Sequence, residues 1–417
     1  MNELSTIVNS LLADPLAPAR ARAQAGGRVV GLLGEDIPME LVRAAGAAGL
    51  QLAGLQVRDL MATGVTEDGS ETPHADRYLE ASFPPSARQT VEAWLTGAFD
   101  FMDAVIFSRS NDSTQRIYYY LCELQRRGLA QGPRPLLYDL AKIPRASSQR
   151  HTQLATLRLA RELAVDVGSE ALSEAIRVRN RRRALFRELE DLRATDHPPR
   201  GTDVNRVLRA SDLVMAEPGD AGIAAFDEAL SGWIHSAAAA EPAAAQSVNE
   251  SARGPRVLLA GSVPPDERLH AAVEQGGGCV VGEVGSHSPA RLGEPVPLEP
   301  SRPAIDALAD HHHALCFGPR AFYDRARAIL DDALRLRADG VVLWLIEEDE
   351  SMAWDVPPIR QALASQAIAH LVLTRQRADC SDGALDRVAE FVASLRACAA
   401  NRGGVPGAGA SEPESQP

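Results

Sequence analysis

Lysine is almost missing from this chain: Lys142 stands alone among 43 basic side chains, the rest being arginine. A GC-rich coding sequence accounts for the bias, yet it has chemical consequences. There is no GxxxxGK[ST] loop, so the chain is not itself a P-loop ATPase, and lysine chemistry such as a Schiff base has one candidate residue. Cysteine is also sparse. Cys122, Cys279, Cys316, Cys380 and Cys398 are scattered with no CxxC pair, which excludes a zinc ribbon and a disulfide framework and suits a reducing cytoplasm. The apolar runs are far too short for a membrane span. The first residues, MNELSTIVNSLLADP, lack a basic region ahead of their apolar positions, so no signal peptide is expected. A net charge of −13 disfavours a broad phosphate-backbone footprint, and nucleic acid is not an expected partner. Neither a G-x-S-x-G elbow nor H-E-x-x-H occurs, and GLLGED is too short to count as a dinucleotide fingerprint.

What is present is organised around residues 28–57, RVVGLLGEDIPMELVRAAGAAGLQLAGLQV. The apolar run 29–33 predicts a buried strand, broken at Gly34, Glu35 and Asp36. Pro38 suits a first helical turn, where its missing N–H would be unpaired anyway. Leu41, Ala44 and Ala45 follow at helical spacing, Gly46 and Gly49 stop the helix, and residues 50–57 form a second strand. This is a β-α-β unit and implies a parallel sheet. The layout returns at 256–284, with a strand at 256–260, a helix at 267–275, three glycines, and a strand at 279–284. A later pair also corresponds. Strand 103–107, polar turn 108–115, a helix and strand 135–140 match strand 339–346, acidic turn 347–351, a helix from Pro357 and strand 370–374. The expected fold class is therefore α/β, two similar Rossmann- or flavodoxin-like parallel-sheet modules with a helical connecting region.

A chain of 417 residues has room for two or three such units. The expected boundaries are an N-terminal helix at 1–27, a first module at 28–146, a helical region at 147–235, a linker at 236–254, a second module at 255–398, and a disordered tail at 399–417. The linker SAAAAEPAAAQSVNESARG is poor in bulky residues, and the tail is rich in Gly, Pro, Ser and Glu. In the first module, residues 64–86 read as a polar loop, with Ser86 capping a helix that carries Val91, Trp94 and Leu95. In the helical region Ser169 is the expected N-cap of a helix bearing Leu172, Ile176, Leu185, Leu189 and Leu192. Its block Arg177-Val-Arg-Asn-Arg-Arg-Arg183 reads as a solvated helix face, with an anion site as the alternative.

Ligands of open parallel sheets bind at the carboxyl ends of strands. Four polar loops fall there: Gly34 to Asp36, 108–113 (SRSNDS), Gly285 to His287, and 347–351 (EEDES). Glu35, Ser110, Asn111, Asp112, Ser113, Glu348, Asp349 and Glu350 are the candidate residues of a cleft between the modules. Such oxygen donors suit a hard cation such as magnesium if they converge. The plainer reading, preferred here, is that acids after a strand cap the next helix. His311, His312 and His313 cannot share one helical face, since neighbours point about 100° apart, so zinc is not expected there. The run Tyr118 to Tyr120 fails the same test, with one or two rings expected in the core. From the residues alone no catalytic group can be assigned.

The order of segments resembles the 2-hydroxyacyl-CoA dehydratase family, which includes the benzoyl-CoA reductase subunits and the 2-hydroxyglutaryl-CoA dehydratase D-component. The pieces are GLLGEDIPMELVRAAG, RYLEASFPPSARQTVEAWLTG, DAVIFSRSNDSTQRIYYYL, LLYDLAKIPR, SEALSEAIRVRNRRRALFREL with Asn180 and Arg183, PRVLLAGS, and DGVVLWLIEEDESMAWDVPPIRQAL. Together they span residues 28–395. The resemblance implies a heterodimeric subunit holding a [4Fe-4S] cluster through three cysteines. An ATP-dependent activator supplies one electron, which passes to an acyl-CoA thioester to give a ketyl radical. This chain departs from that pattern. The family's cysteine positions fall on Pro84 (or Phe83), Asn111 and Asp349, and a further one carried by some members falls on Gly34. Thiolates hold such clusters, so no iron–sulfur cluster is expected on this chain. The expectation is a cytoplasmic, cluster-free subunit of an acyl-CoA dehydratase or reductase-like complex, paired with a cluster-bearing relative. The alternative is a divergent member with a binding or scaffold role, or a metal-using enzyme with an acidic cleft.

Overall fold

The computed structural model describes residues 3–52, 55, 72–80, 82–109, 112–141, 143–217, 220–239, 254–262, 266–285, 288–315, 323–347 and 349–403. In chain order the first part holds helices Glu3–Ala13 (α1) and Ala17–Gln24 (α2), strand Val29–Leu33 (β1), helix Met39–Ala44 (α3) and strand Ala48–Gln51 (β2). Helix Pro85–Leu95 (α4), strand Ala104–Ser108 (β3), helix Asp112–Arg126 (α5) and strand Arg134–Tyr138 (β4) follow. Four helices come next: Ala146–Glu162 (α6), Glu170–Arg193 (α7), Gly201–Leu213 (α8) and Ala221–Ala239 (α9). The last part runs Arg256–Gly261 (β5), Arg268–Gln275 (α10), Cys279–Val284 (β6), Ala304–Ala314 (α11), Arg325–Arg335 (α12) and Gly340–Ile346 (β7). It ends with Glu350–Ala353 (α13), Val356–Ser365 (α14), Ala369–Gln376 (β8) and Ala384–Gly403 (α15).

The strands form two four-stranded sheets, ordered β2-β1-β3-β4 and β6-β5-β7-β8, and every pairing is parallel. The expected two-module α/β architecture is therefore present, with one topology used twice. Apolar runs predict such strands because a parallel sheet is covered on both faces. Alternate residues then go to opposite cores. Val29 and Leu33 of β1 join one cluster with Val105 and Phe107, while Val30 and Leu32 join the other with Ala104 and Ile106. In the second sheet Val257 and Leu259 face one core, and Leu258 and Ala260 the other.

Glycine carries the chain off the central strand in both sheets. Gly34 has φ +143° and Gly261 φ +101°. A Cβ at Gly34 would lie 2.4 Å from Ser108 Cβ, and one at Gly261 would lie 2.3 Å from the Trp344 carbonyl oxygen. Both turns thus press against the third strand, in a conformation that favours glycine.

The helical region ties the sheets together. Helix α7, roughly 36 Å long at 1.5 Å per residue, contributes Leu172 and Ile176 to one core of the first sheet and Phe186 and Leu189 to the other. At its far end Arg193 donates to both carboxylate oxygens of Glu283 in β6, at 2.6 and 2.7 Å. The edge strands β2 and β6 both contact α8.

Several local expectations need correction. The N-terminal helix is two helices, because Pro15 disfavours helical backbone at Asp14. Strand β2 starts at Ala48 rather than Leu50, and Gly49 pairs with Val30 instead of stopping α3. Its missing side chain makes room for the Met39 sulfur, which would meet a Cβ at 2.1 Å. Gly46 does end the helix, at φ +71°. Pro84, not Ser86, is the N-cap of α4, with Pro85 as its first helical residue. Ser108 belongs to β3, and α5 starts at Asp112 within the expected polar turn. Helix α9 runs to Ala239 and α15 to Gly403, past the expected starts of linker and tail. The tyrosine run needs no correction: Tyr118 and Tyr120 pack half-buried on the core, as expected of one or two of its rings, while Tyr119 is exposed.

Candidate functional site: an arginine-lined cleft at the end of β1

In both sheets the strand order reverses beside the central first strand, between β1 and β3 and between β5 and β7. Such switch points leave a crevice at the strands' carboxyl ends. At the first one, β1 ends in Gly34-Glu35-Asp36, and the chain turns through Ile37 and Pro38 into α3. Asp36 is buried and accepts a hydrogen bond from the Ser108 hydroxyl at the end of β3. The Asp36 carbonyl also faces His312 Nδ1 at 3.1 Å. A carbonyl only accepts, so Nδ1 carries the proton.

A small cleft with a volume of about 20 Å³ opens here. Its floor is Glu35, Ile37, Met39 and Glu40; α7 adds Arg179 and Arg183. The 3-10 turn Pro289–Leu292 adds Arg291 and Leu292, and α11 adds His312 with Leu315 just beyond. Arg183 donates from Nη2 to Glu40 Oε1 at 2.5 Å, from Nε to the Leu292 carbonyl at 2.9 Å, and from Nη1 to Asn180 Oδ1 at 3.0 Å. Asn180 in turn holds both backbone groups of Val296 at 2.8 Å. Arg291 donates to Asp212 at 2.5 Å. His312 Nε2 lies 3.6 Å from Glu40 Oε2. Arg182, on the side of α7 next to these, meets Asp227 and the carbonyl and hydroxyl of Ser211. Arg182 Nη2 and Arg291 Nε are buried without a partner, but Arg179 alone of these arginines has no hydrogen bond or ion pair at all among the described residues; it is 9% exposed and its Nη1 is buried.

These surroundings tune the acids in opposite directions. Burial pushes the half-buried Glu35 carboxyl up to about 7, against the opposing pull of Arg291, with Asp36 and Asp212 adding to the rise. Burial alone would also raise Glu40, but Arg183, His312 and Arg179 outweigh it and hold Glu40 well below the carboxylate range. Burial lowers the Arg179 guanidinium to about 10, so it stays charged at neutral pH. His311, facing the Leu292 backbone, is pulled down by burial to about 3.

The second switch point is simpler. Ser262 follows Gly261 and donates to Asp349 Oδ2 at 2.9 Å, and Ser351 donates to Asp349 Oδ1 at 3.2 Å. Asp349 is the N-cap residue of α13, whose first residue is Glu350.

Of the residues expected in a cleft, Glu35 lines the one found. Asp112 is exposed and Ser113 half-buried at the start of α5. Asp349 is half-buried at the other sheet. Ser110, Asn111 and Glu348 lie outside the described residues, as do Ser286 and His287. Pro84 caps α4 beside buried Phe83, which meets the Tyr120 ring edge-on at 5.7 Å and lies under the Arg116 guanidinium at 4.0 Å. The solvated-face reading of the arginine block fails for Arg179, Arg182 and Arg183, which are buried, and holds for Arg177 and Arg181. Glu40, Arg179, Arg183, Arg291 and His312 were not singled out as site residues from the sequence. A signal existed in Leu172, Ile176, Arg179, Arg183 and Phe186. They recur at steps of four and three, which sets two arginines in the buried stripe of α7.

The three histidines diverge: His311 to the Leu292 backbone, His312 to Asp36 and Glu40, and His313 to the Thr152 hydroxyl at 3.2 Å. Among the described residues no three His, Cys, Asp or Glu side chains gather as a metal-holding group. Cys122, Cys279, Cys380 and Cys398 are free and sit on separate stretches of chain, and Cys316 lies outside the described residues. Burial raises the thiols of Cys122 and Cys279, and takes Cys380 to about 11. None of the described helices is long and apolar enough to cross a membrane.

Comparison with curated proteins finds no match. The family model described as 2-hydroxyglutaryl-CoA dehydratase, D-component matches residues 36–395, which takes in, apart from β1, every strand of the two sheets and the helices between them. On that match, the chain belongs to the 2-hydroxyglutaryl-CoA dehydratase D-component family.

Proposed function

We propose that this chain is the cluster-free subunit of a 2-hydroxyacyl-CoA dehydratase-type complex acting on an acyl-CoA thioester, with the radical chemistry carried by a related, cluster-bearing partner. Membership of the D-component family supports a component of such a system and implies a partner component. The observation that carries the finer reading is the donor set. By the resemblance, the family's cysteine positions fall on Pro84 (or Phe83), Asn111 and Asp349. Proline offers no side-chain donor at all, and Asp349 already accepts from Ser262 and Ser351. Iron–sulfur clusters are held by thiolates, so this donor set does not fit one, and no step is routed through a cluster on this chain. Its part is to bind and orient, while an ATP-dependent activator delivers the electron to the partner.

The test is iron and acid-labile sulfide on anaerobically purified protein, alone and co-expressed with a family member that has all three cysteines. Iron confined to the co-purified complex is the expected result. Four irons on the isolated chain would overturn the reading, and no iron in either sample would move the function away from electron transfer.

A further inference from the structure

One arginine of the cleft at the end of β1 is left without a partner. Glu40 offsets Arg183 across 2.5 Å, and Asp212 offsets Arg291 across 2.5 Å. Arg179 is left over: it makes no hydrogen bond or ion pair, although more than nine-tenths of it is buried. Glu40 and Asp212 are close enough to favour its charged form, yet both are committed to other arginines. Its neighbours on the same helix are held by partners, Arg183 by Glu40, Leu292 and Asn180, and Arg182 by Asp227 and Ser211 although its Nη2 is left over. A buried charge without a partner is costly, and Arg179 lines an open cleft rather than a sealed core.

We propose that this cleft is a carboxylate-binding site, with Arg179 as the seat of the anion and Glu35, which lines the same cleft, as the group that admits it. A guanidinium fork fits the two coplanar oxygens of a carboxylate. With Glu35 protonated the cleft gains a donor; with Glu35 ionised it gains a negative charge that opposes an incoming anion. The groups facing Glu35 are Asp36 on its own loop, Arg291 on the 3-10 turn and Asp212 on α8. Arg179 and Arg183 on α7, Glu40 on α3 and His312 on α11 complete the cleft. Binding therefore weakens as pH rises from 6 to 8, across the value near 7 at which Glu35 ionises. This site does not depend on whether the chain holds a cluster.

The test is calorimetric titration of the full-length chain with acetate, with monomethyl adipate, whose ester end stands in for the rest of a larger ligand, and with inorganic phosphate, at pH 6 and pH 8. One carboxylate per chain is expected, several-fold weaker at pH 8. Arg179→Gln should weaken it at least tenfold, and Glu35→Gln should bind with no pH dependence. If Arg179→Gln does not fold, as judged by circular dichroism, Arg179→Lys replaces it; that variant keeps the charge, loses the fork, and should still bind more weakly than wild type. Monomethyl adipate binding tenfold tighter than acetate would assign the acid end of a larger ligand, and equal affinities a small free acid. No saturable carboxylate binding to the wild-type chain, undiminished binding in the Arg179 variant, or phosphate binding tighter than acetate would overturn the proposal.

Discussion

The two sheets end their central strands with the same tie, built with the residues exchanged. In the first sheet the carboxylate follows β1, at Asp36, and the hydroxyl ends β3, at Ser108. In the second the hydroxyl follows β5, at Ser262, and the carboxylate follows β7, at Asp349. Each tie sits beside a glycine of positive φ and closes the turn onto the third strand. Their surroundings differ. Helices α7 and α11 cover the first tie with Arg179, Arg183 and His312, so it is buried beside a charged cleft. The second is half-buried and capped by its own short helix α13. A duplicated sheet supplies equivalent crevices, and the side chains laid across a crevice decide whether it becomes a site.

The strongest way to break that comparison is to remove the carboxylate each crevice relies on. Glu40→Ala leaves Arg183 charged, buried and without its acid partner, adding to the unpaired Arg179. We expect a loss of about 3–5 kcal/mol in urea unfolding, the range for one partner removed from a buried pair. Asp349→Ala removes a half-buried acceptor of two serine hydroxyls and should cost only about 1 kcal/mol. Equal losses would mean that the helices over the first crevice add nothing to its energetics.

Next in size is the pH dependence contributed by Glu35. Its folded-state value, near 7, lies above the ordinary 4.5, so between these limits the native chain holds a proton that the unfolded chain has released. The sign follows from linkage. The stability from this group is fully present below about pH 4.5, falls as pH rises, and is lost above about pH 7. At about 1.4 kcal/mol per pH unit the fall is at most about 3.5 kcal/mol. Glu35→Gln should flatten that part of the profile, measured as unfolding free energy at pH 5 and pH 8. A profile as steep in the variant as in wild type would place the titration on another residue.

How far these features were legible in the sequence follows from how each residue is used. Strands buried on both faces must be apolar throughout, so β1, β3, β5, β6 and β7 could be read directly, and Pro38 marked the entry to α3. Gly34-Glu35-Asp36 stood out because a sheet of this kind gathers its ligands after its strands. The arginines did not stand out. Arg177 and Arg181 are exposed while Arg179, Arg182 and Arg183 are buried, and a run of five arginines in seven residues looks the same in either case. Only the phase with Leu172, Ile176 and Phe186 separates them, and the partners that make their burial tolerable are distant in sequence. Glu40 lies 143 residues from Arg183 and Leu292 lies 109 residues away. Such pairings are properties of the packed helices and leave no local pattern.

The smallest effect sharpens the comparison most, because it isolates the tie from the charges around it. Ser108→Ala and Ser262→Ala each delete one hydroxyl that donates to a carboxylate. Where the acceptor is buried, as Asp36 is, the bond lost is charge-assisted and water cannot readily replace it, so the cost should be about 1.5–3 kcal/mol. At Asp349 water can take the vacated place and Ser351 still donates, so the cost should be about 0.5–1 kcal/mol. The serine at 262 also accepts from the Ile346 amide at 3.3 Å, a long contact whose loss adds little. Urea unfolding of both variants at pH 7 measures the difference. If the two substitutions cost the same, burial does not distinguish the two ties, and the contrast between the crevices would rest on the arginines of α7 alone.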